Sequence, residues 1–141
     1  MASSYANFKT ALYTKTNVSG LVDVNNSAKL YGIYEGKATV AIPVGRAYGI
    51  FNFQGAEEVV YGFNATQLAE PFYIQLRVYS ENALAADNLV DTWVSTLGTS
   101  LTVTGFTIGW LQRQNDLPPT DQQLDNRYIF GRGRLIKVIA E

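Results

Sequence analysis

The sequence predicts an α+β protein: an antiparallel, twisted β-sheet flanked by an N-terminal helix and one central amphipathic helix. Two adjoining stretches carry that expectation. In FYIQLRVY, residues 72–79, Phe72, Ile74, Leu76 and Val78 face one way, and Tyr73, Gln75, Arg77 and Tyr79 the other. A period of two in aromatic and β-branched types is that of a strand with one buried face. Directly after it, Ala86, Leu89, Val90, Trp93, Val94 and Leu97 recur at three- and four-residue spacing, with Asp87, Asn88, Asp91, Thr92 and Ser95 opposite. That is an amphipathic helix. Ser80 stands where an N-cap belongs, Glu81 falls in the first turn, and Gly98 supplies the glycine that ends the helix. A strand feeding into a helix that lies back over the sheet is the core of the chain. At 141 residues one domain, 1–141, is expected.

The other elements follow in order. Ser3 or Ser4 caps a short helix to about Thr16, with Tyr5, Phe8 and Leu12 as its apolar stripe. Residues 17–26 read as a loop whose Val18, Leu21 and Val22 plug into the core. KLYGIY, residues 29–34, is a weakly marked strand, and residues 35–45 form a loop in which Pro43 opposes a central strand. In RAYGIFNF, residues 46–53, Tyr48 and Ile50 share one face, Phe51 and Phe53 the other. A glycine-containing turn then leads to Val59, Tyr61 and Phe63, giving an expected antiparallel hairpin. Residues 101–112 read as one strand with Phe106, Ile108 and Trp110 on a face and a bulge at Gly105. Residues 113–125, RQNDLPPTDQQLD, form a long polar loop. Residues 127–140 make the last strand, with a bulge at Gly131-Arg132-Gly133.

Composition excludes several classes. Charged residues are only 16% of the chain against 47% hydrophobic, with nine Tyr, seven Phe and two Trp, a balance that fits either burial against partners or a tyrosine-rich sheet core. The net charge of −1 gives no bulk attraction for nucleic acid. Without cysteine there is no thiol chemistry, and without histidine the commonest general base and metal ligand are both missing. No apolar run is long enough to span a bilayer, and MASSYANFK lacks the regions of a signal peptide. A soluble protein made in the cytoplasm is the expectation. There is no phosphate loop, dinucleotide fingerprint or nucleophile elbow. Asp87 and Asp91, four apart on one helical face, lack a third partner and read as a solvated face rather than a site; Glu57-Glu58 reads the same way. No cofactor, metal or catalytic set is expected.

Charge is nonetheless segregated along the chain. Arg127, Arg132, Arg134 and Lys137 make the final strand basic, whereas no Lys or Arg occurs between Arg77 and Arg113, where Glu81, Asp87 and Asp91 lie. Two unlike patches suit head-to-tail contact between identical subunits, which closes into a ring. The loop at residues 113–125 is longer than a strand connection needs, and such loops commonly carry function.

The order of elements resembles that of bacteriophage tail-terminator and tail-completion (head–tail joining) proteins. FYIQLRVYSENALAADNLVDTWVSTL carries most of the likeness, with SGLVDVNNSAKLYGIYEG and a strand near the end of the chain adding to it. The resemblance implies a structural virion protein, with no catalytic residues, that forms a homohexameric ring at the head-proximal end of a long tail. Its partners are then other copies of itself, the tail tube protein and a neck or connector protein, with DNA passing through unbound. On that basis Arg127, Arg132, Arg134 and Lys137 are expected at the subunit interface. Asp116, Leu117, Pro118 and Pro119 are expected to dock the tail tube, with Leu117 as anchor, and Glu81, Asp87 and Asp91 to line the channel, where carboxylates repel phosphates. A connector role in the same virion stays open, as does a small-molecule or peptide-binding domain that uses the aromatic sheet face.

Overall fold

The structure, a computed structural model, describes residues 2–55, 60–61, 67–69, 72–103, 109–124 and 126–140. It is an α+β fold with elements α1 (Ala2–Val18), β1 (Leu30–Glu35), β2 (Ala47–Gly55), β3 (Val60–Tyr61), β4 (Gln67–Ala69), β5 (Phe72–Ser80), α2 (Ala83–Leu97), β6 (Ser100–Leu101), β7 (Gly109–Leu124) and β8 (Arg127–Ala140). Among the described residues a six-stranded sheet runs β1-β2-β5-β8-β7-β6, and β3 pairs with β4 in a separate ribbon. The sheet is mixed rather than wholly antiparallel, because β1 lies parallel to β2.

Strand β5 sits at the centre and alternates as its sequence requires, with Phe72, Ile74, Leu76, Val78 and Ser80 buried and the residues between them half-exposed. Register puts Phe51 beside Leu76, and Ile74 beside Phe53 and Ile136, on that same inner face. Both helices cover it. Ala86, Val90, Trp93 and Leu97 of α2 are fully buried there, and so are Phe8, Leu12 and Thr16 of α1 at four-residue spacing. Phe8 meets Phe72 edge-on at 4.9 Å, and Tyr13 meets Phe51 at 5.2 Å. The Trp93 indole N–H donates to Thr16 Oγ1 at 3.1 Å, so the one polar atom of the largest core side chain is satisfied by the neighbouring helix. Position 49 has to be glycine for this: a Cβ there would lie 2.7 Å from Trp93 Cζ3 and 3.0 Å from Ile33 Cγ2.

Several expectations change. The cap of α2 is Asn82, whose side chain accepts from Ala85 N at 3.0 Å; Ser80 ends β5 and accepts from Asn82 N instead. Gly98, at φ 71°, does end the helix, and the Lys15 ammonium donates to the carbonyls of Leu97 (2.6 Å) and Ser100 (2.8 Å), a cation at the negative end of the dipole. Leu21 is buried and Val22 partly so, but Val18 is 83% exposed, because it falls off the Phe8–Leu12–Thr16 stripe. In β1 the register shifts between Leu30 and Ile33, so those two are buried in place of a strict alternation. Strand β2 has β1 on one side and β5 on the other, which leaves no edge for a hairpin with residues 59–63. Residues 101–112 are not one strand: Ser100 pairs with Trp110 and Leu101 with Gly109, so the chain doubles back between β6 and β7. The expected bulge at Gly105 and the side chains of Phe106, Ile108 and Trp110 lie outside the described residues, as do those of Tyr5 and Glu57-Glu58.

The largest change concerns residues 113–125. Residues 113–124 belong to strand β7, which pairs with β8 in a long hairpin, and residue 125 lies outside the described residues. The register is irregular twice, between Arg113 and Asp116 and between Leu117 and Thr120, and the second irregularity absorbs Pro118-Pro119. Beyond Leu111, β7 has only β8 as a strand partner among the described residues, and a bulged edge is where a sheet tolerates proline. The bulge expected at Gly131-Arg132-Gly133 is therefore in β7; β8 pairs with β5 without interruption. The glycines serve close approach: a Cβ at Gly133 would lie 2.9 Å from Leu117 Cδ1, and one at Gly131 would strike Thr120.

Trp93→Ala should cost about 3–5 kcal/mol in urea unfolding. Thr16→Val, which keeps the volume and orphans the indole N–H, should cost about 1–3 kcal/mol. A wild-type midpoint for Thr16→Val would show that this hydrogen bond does not join the helices.

Candidate functional site

The charges that the sequence separates meet inside one chain. Arg134 projects from the inner face of β8, where it is paired with Leu76, and its side chain is only 5% exposed. Its guanidinium reaches Asp87 at 2.8 Å, Asp91 at 3.1 Å and Asp116 at 3.1 Å, which ties α2 and β7 to the sheet. Arg113 closes the network against Asp116 (3.3 Å) and Asp91 (3.5 Å). Burial pulls the Arg134 pKa down, but the hydrogen bonds it donates to Asp87 and Asp91, together with the charges of Asp91 and Asp116, outweigh it and hold the pKa above its ordinary value. Arg132 pairs with Asp121 across the hairpin at 2.6 Å.

Arg127 binds Glu81 through two nitrogens, at 3.1 and 3.3 Å. Glu81 also accepts from the Gly45 backbone N–H, so one carboxylate joins the start of α2, the loop before β2 and the hairpin. The Arg127 hydrogen bond first, and the Gly45 N–H second, hold its pKa below the usual carboxylate value. Exposed Val44, Leu84 and Tyr128 flank these three residues in sequence.

These contacts place each of the residues expected at a subunit interface, a channel and a docking loop. Arg127, Arg132 and Arg134 each pair with a carboxylate of the same chain, and Lys137 stands on the outer face of β8 beside Tyr73. Glu81 is paired with Arg127, and Asp87 and Asp91 with Arg134. The docking loop is a strand in which Asp116 belongs to the Arg134 network, Leu117 packs over Gly133, and the Pro118 carbonyl accepts from Arg77 at 3.0 Å. None of these pairings is visible in sequence, since outside the hairpin the partners lie between 22 and 47 residues apart.

Two surfaces remain. One is the sheet face turned away from the helices. Its rows, taken from the strand register, are Tyr48–Tyr79–Gly131, Ile50–Arg77–Gly133, Asn52–Gln75–Leu135 and Gln54–Tyr73–Lys137. Tyr48 and Tyr79 stack at 5.4 Å, and Gln75 donates to Gln54 at 2.7 Å. Burial, and then the neighbouring Tyr79, push the Tyr48 hydroxyl above its ordinary pKa. The other is a groove of about 660 Å³ between α1 and the turn after α2, with Thr10, Thr14, Thr96 and Ser100 among its lining residues. Among the described residues no cluster of His, Cys, Asp or Glu suits a metal ion, and no helix is long and apolar enough to cross a membrane.

No known protein family matches the chain, and no curated protein matches it in sequence. Its architecture recurs in solved structures, four of whose chains match. One superposes with a TM-score of 0.58 at 10% identity, over 97% of this chain and 92% of its own. At that identity the likeness establishes a shared fold over nearly the whole chain and says nothing of activity.

The Glu81 contacts predict a pH signature. A carboxylate whose folded pKa is depressed contributes stability that is complete above its unfolded value, about 4.3, and lost as pH falls through the folded value. Glu81→Gln should therefore destabilise the protein at neutral pH, and the gap from wild type should narrow steadily below about pH 4. Chemical denaturation from pH 7 to pH 2.5 measures it; a gap constant with pH would show that Glu81 contributes nothing as a charge.

Proposed function

We propose that this chain is a structural subunit of a phage virion, a tail terminator that forms a closed ring at the head-proximal end of a long tail and joins the tail tube to the neck. The observation that carries the reading is the one-sidedness of the sheet. Both helices pack on one face, while the other presents tyrosines, amides and few charges. Surfaces depleted in charge and enriched in tyrosine are characteristic of protein–protein interfaces. Among the described residues β7 beyond Leu111 has a second edge that pairs with no strand, which adds backbone groups that a neighbouring subunit can use. The element order of tail-terminator and tail-completion proteins supports the same reading, and the absence of a catalytic constellation among the described residues fits it. The tube protein and a neck protein are the proposed partners, with DNA traversing the ring without specific contacts. The virion is the proposed location.

A ring subunit should assemble without any ligand. Size-exclusion chromatography with light scattering should give six times the 15.6 kDa of one chain, and electron micrographs should show rings with a central hole. A monomer at micromolar concentration, with no rings on the grid, would contradict the proposal.

A further inference from the structure

We infer that the connection between β1 and β2 is a strap, hinged at Gly36 and Gly45, that opens separately from the rest of the fold, and that Glu81 is its latch. The inference stands independently of the ring reading.

The parallel pairing of β1 and β2 makes the connection long. The chain leaves β1 at Glu35, beside Phe51, and has to return to Ala47, beside Leu30. A six-residue strand rises about 20 Å. The ten residues from Gly36 to Gly45 can reach about 33 Å, so the connection has slack. It gives nothing to the core. Eight of the ten are exposed, Ala38 and Ile42 are half-buried, and none is buried, whereas the strands on either side bury Leu30, Ile33, Ile50 and Phe51. A segment with so little buried apolar surface opens at far lower cost than the elements it joins.

Its ties lie at its ends. The Gly36 N–H donates to the Phe51 carbonyl at 3.1 Å, and the Gly45 N–H donates to the Glu81 carboxylate. Among the described residues the span between them makes two backbone hydrogen bonds, both local: Lys37 N–H to the Glu35 carbonyl, and Arg46 N–H to the Pro43 carbonyl. The end residues are also the natural hinges. Gly36 and Gly45 sit at φ 77° and 81°, a region in which glycine turns freely. Beyond the second hinge the chain is fixed again. Arg46 donates to the carbonyls of Asp23, Val24 and Asn26 at 2.6–2.8 Å and lies over the Tyr31 ring. Glu81 is held from its other side by Arg127, at 3.1 and 3.3 Å, so the latch stays in place when the strap leaves it. Opening therefore carries exposed Val40 and Val44 outward while the sheet stays folded.

Lys37 is the strap's only Lys or Arg, so trypsin reports its opening in the full-length chain. When closing outpaces cleavage, the rate of cutting follows the open population. Wild-type protein should be cut first after Lys37. Glu81→Ala should be cut there several-fold faster, with no change at Lys29, which follows the loop that Arg46 holds. Thr16→Val, which weakens the core far from the strap, is the control for global unfolding and should leave the Lys37 rate unchanged. A wild-type rate at Lys37 in Glu81→Ala would show that Glu81 is not the latch. First cleavage at another site would show that the strap does not open separately. Acceleration in Thr16→Val as large as in Glu81→Ala would show that cleavage reads unfolding of the whole chain, and would overturn the inference.

Discussion

The seat of Trp93 is the constraint on which the rest of the structure depends. The indole is fully buried where α1, α2 and the sheet meet. It needs Thr16 from α1 as acceptor, the flat backbone of Gly49 in β2 beneath it, and Ile33 of β1 beside it. Four elements are thereby fixed against one side chain, and the surrounding aromatics pack edge-on around the same core. Both helices are drawn to one face as a result. The Arg134 network reinforces this at the periphery, fastening α2 to β7 and β8 with charges of which the central one is almost wholly screened from water.

A protein built this way has a finished side and an unfinished one. The inner face holds the apolar core, and its charges are paired locally. The outer face has side chains that avoid both extremes, neither greasy enough to drive collapse nor charged enough to keep other proteins away. Glycines at 131 and 133 flatten it, and Leu117 and Thr120 of β7 fold across that flat strip. Such a surface suits repeated contact with identical neighbours, which is the ground of the assembly proposed above.

The sequence makes the central unit legible because local pattern and tertiary role coincide there. In β5 and α2 the buried positions are those that period two and period 3.6 select, and β8 runs over the residues its β-branched and aromatic content marks. The α+β class follows from those elements together with α1. What failed had non-local causes. Nothing in KLYGIY or RAYGIFNF states that these strands pair parallel, or that β5 rather than residues 59–63 takes the other edge of β2. Strand β7 escaped notice because an edge strand need not bury alternate residues, so its polar run and tandem proline have the composition of a loop. Ser80 and Asn82 are both good caps, and the choice between them depends on where β5 ends. For the candidate site the part not legible in sequence was electrostatic. Runs of like charge in sequence implied patches on the surface, while the fold pairs Arg134 with Asp87 and Asp91, and Arg127 with Glu81, from segments more than 40 residues apart.

The central claim is that the helix-free face is left open by one chain so that another can cover it. Hydroxyl-radical footprinting at high and at low protein concentration tests this directly, since Tyr48, Tyr73 and Tyr79 report on the face and Tyr128, 57% exposed at the hairpin, reports away from it. The account predicts that the three sheet tyrosines are protected when the protein is assembled and oxidised several-fold faster on dilution, in step with the fall in mass. Equal oxidation of those tyrosines in the assembled and dilute states would contradict it.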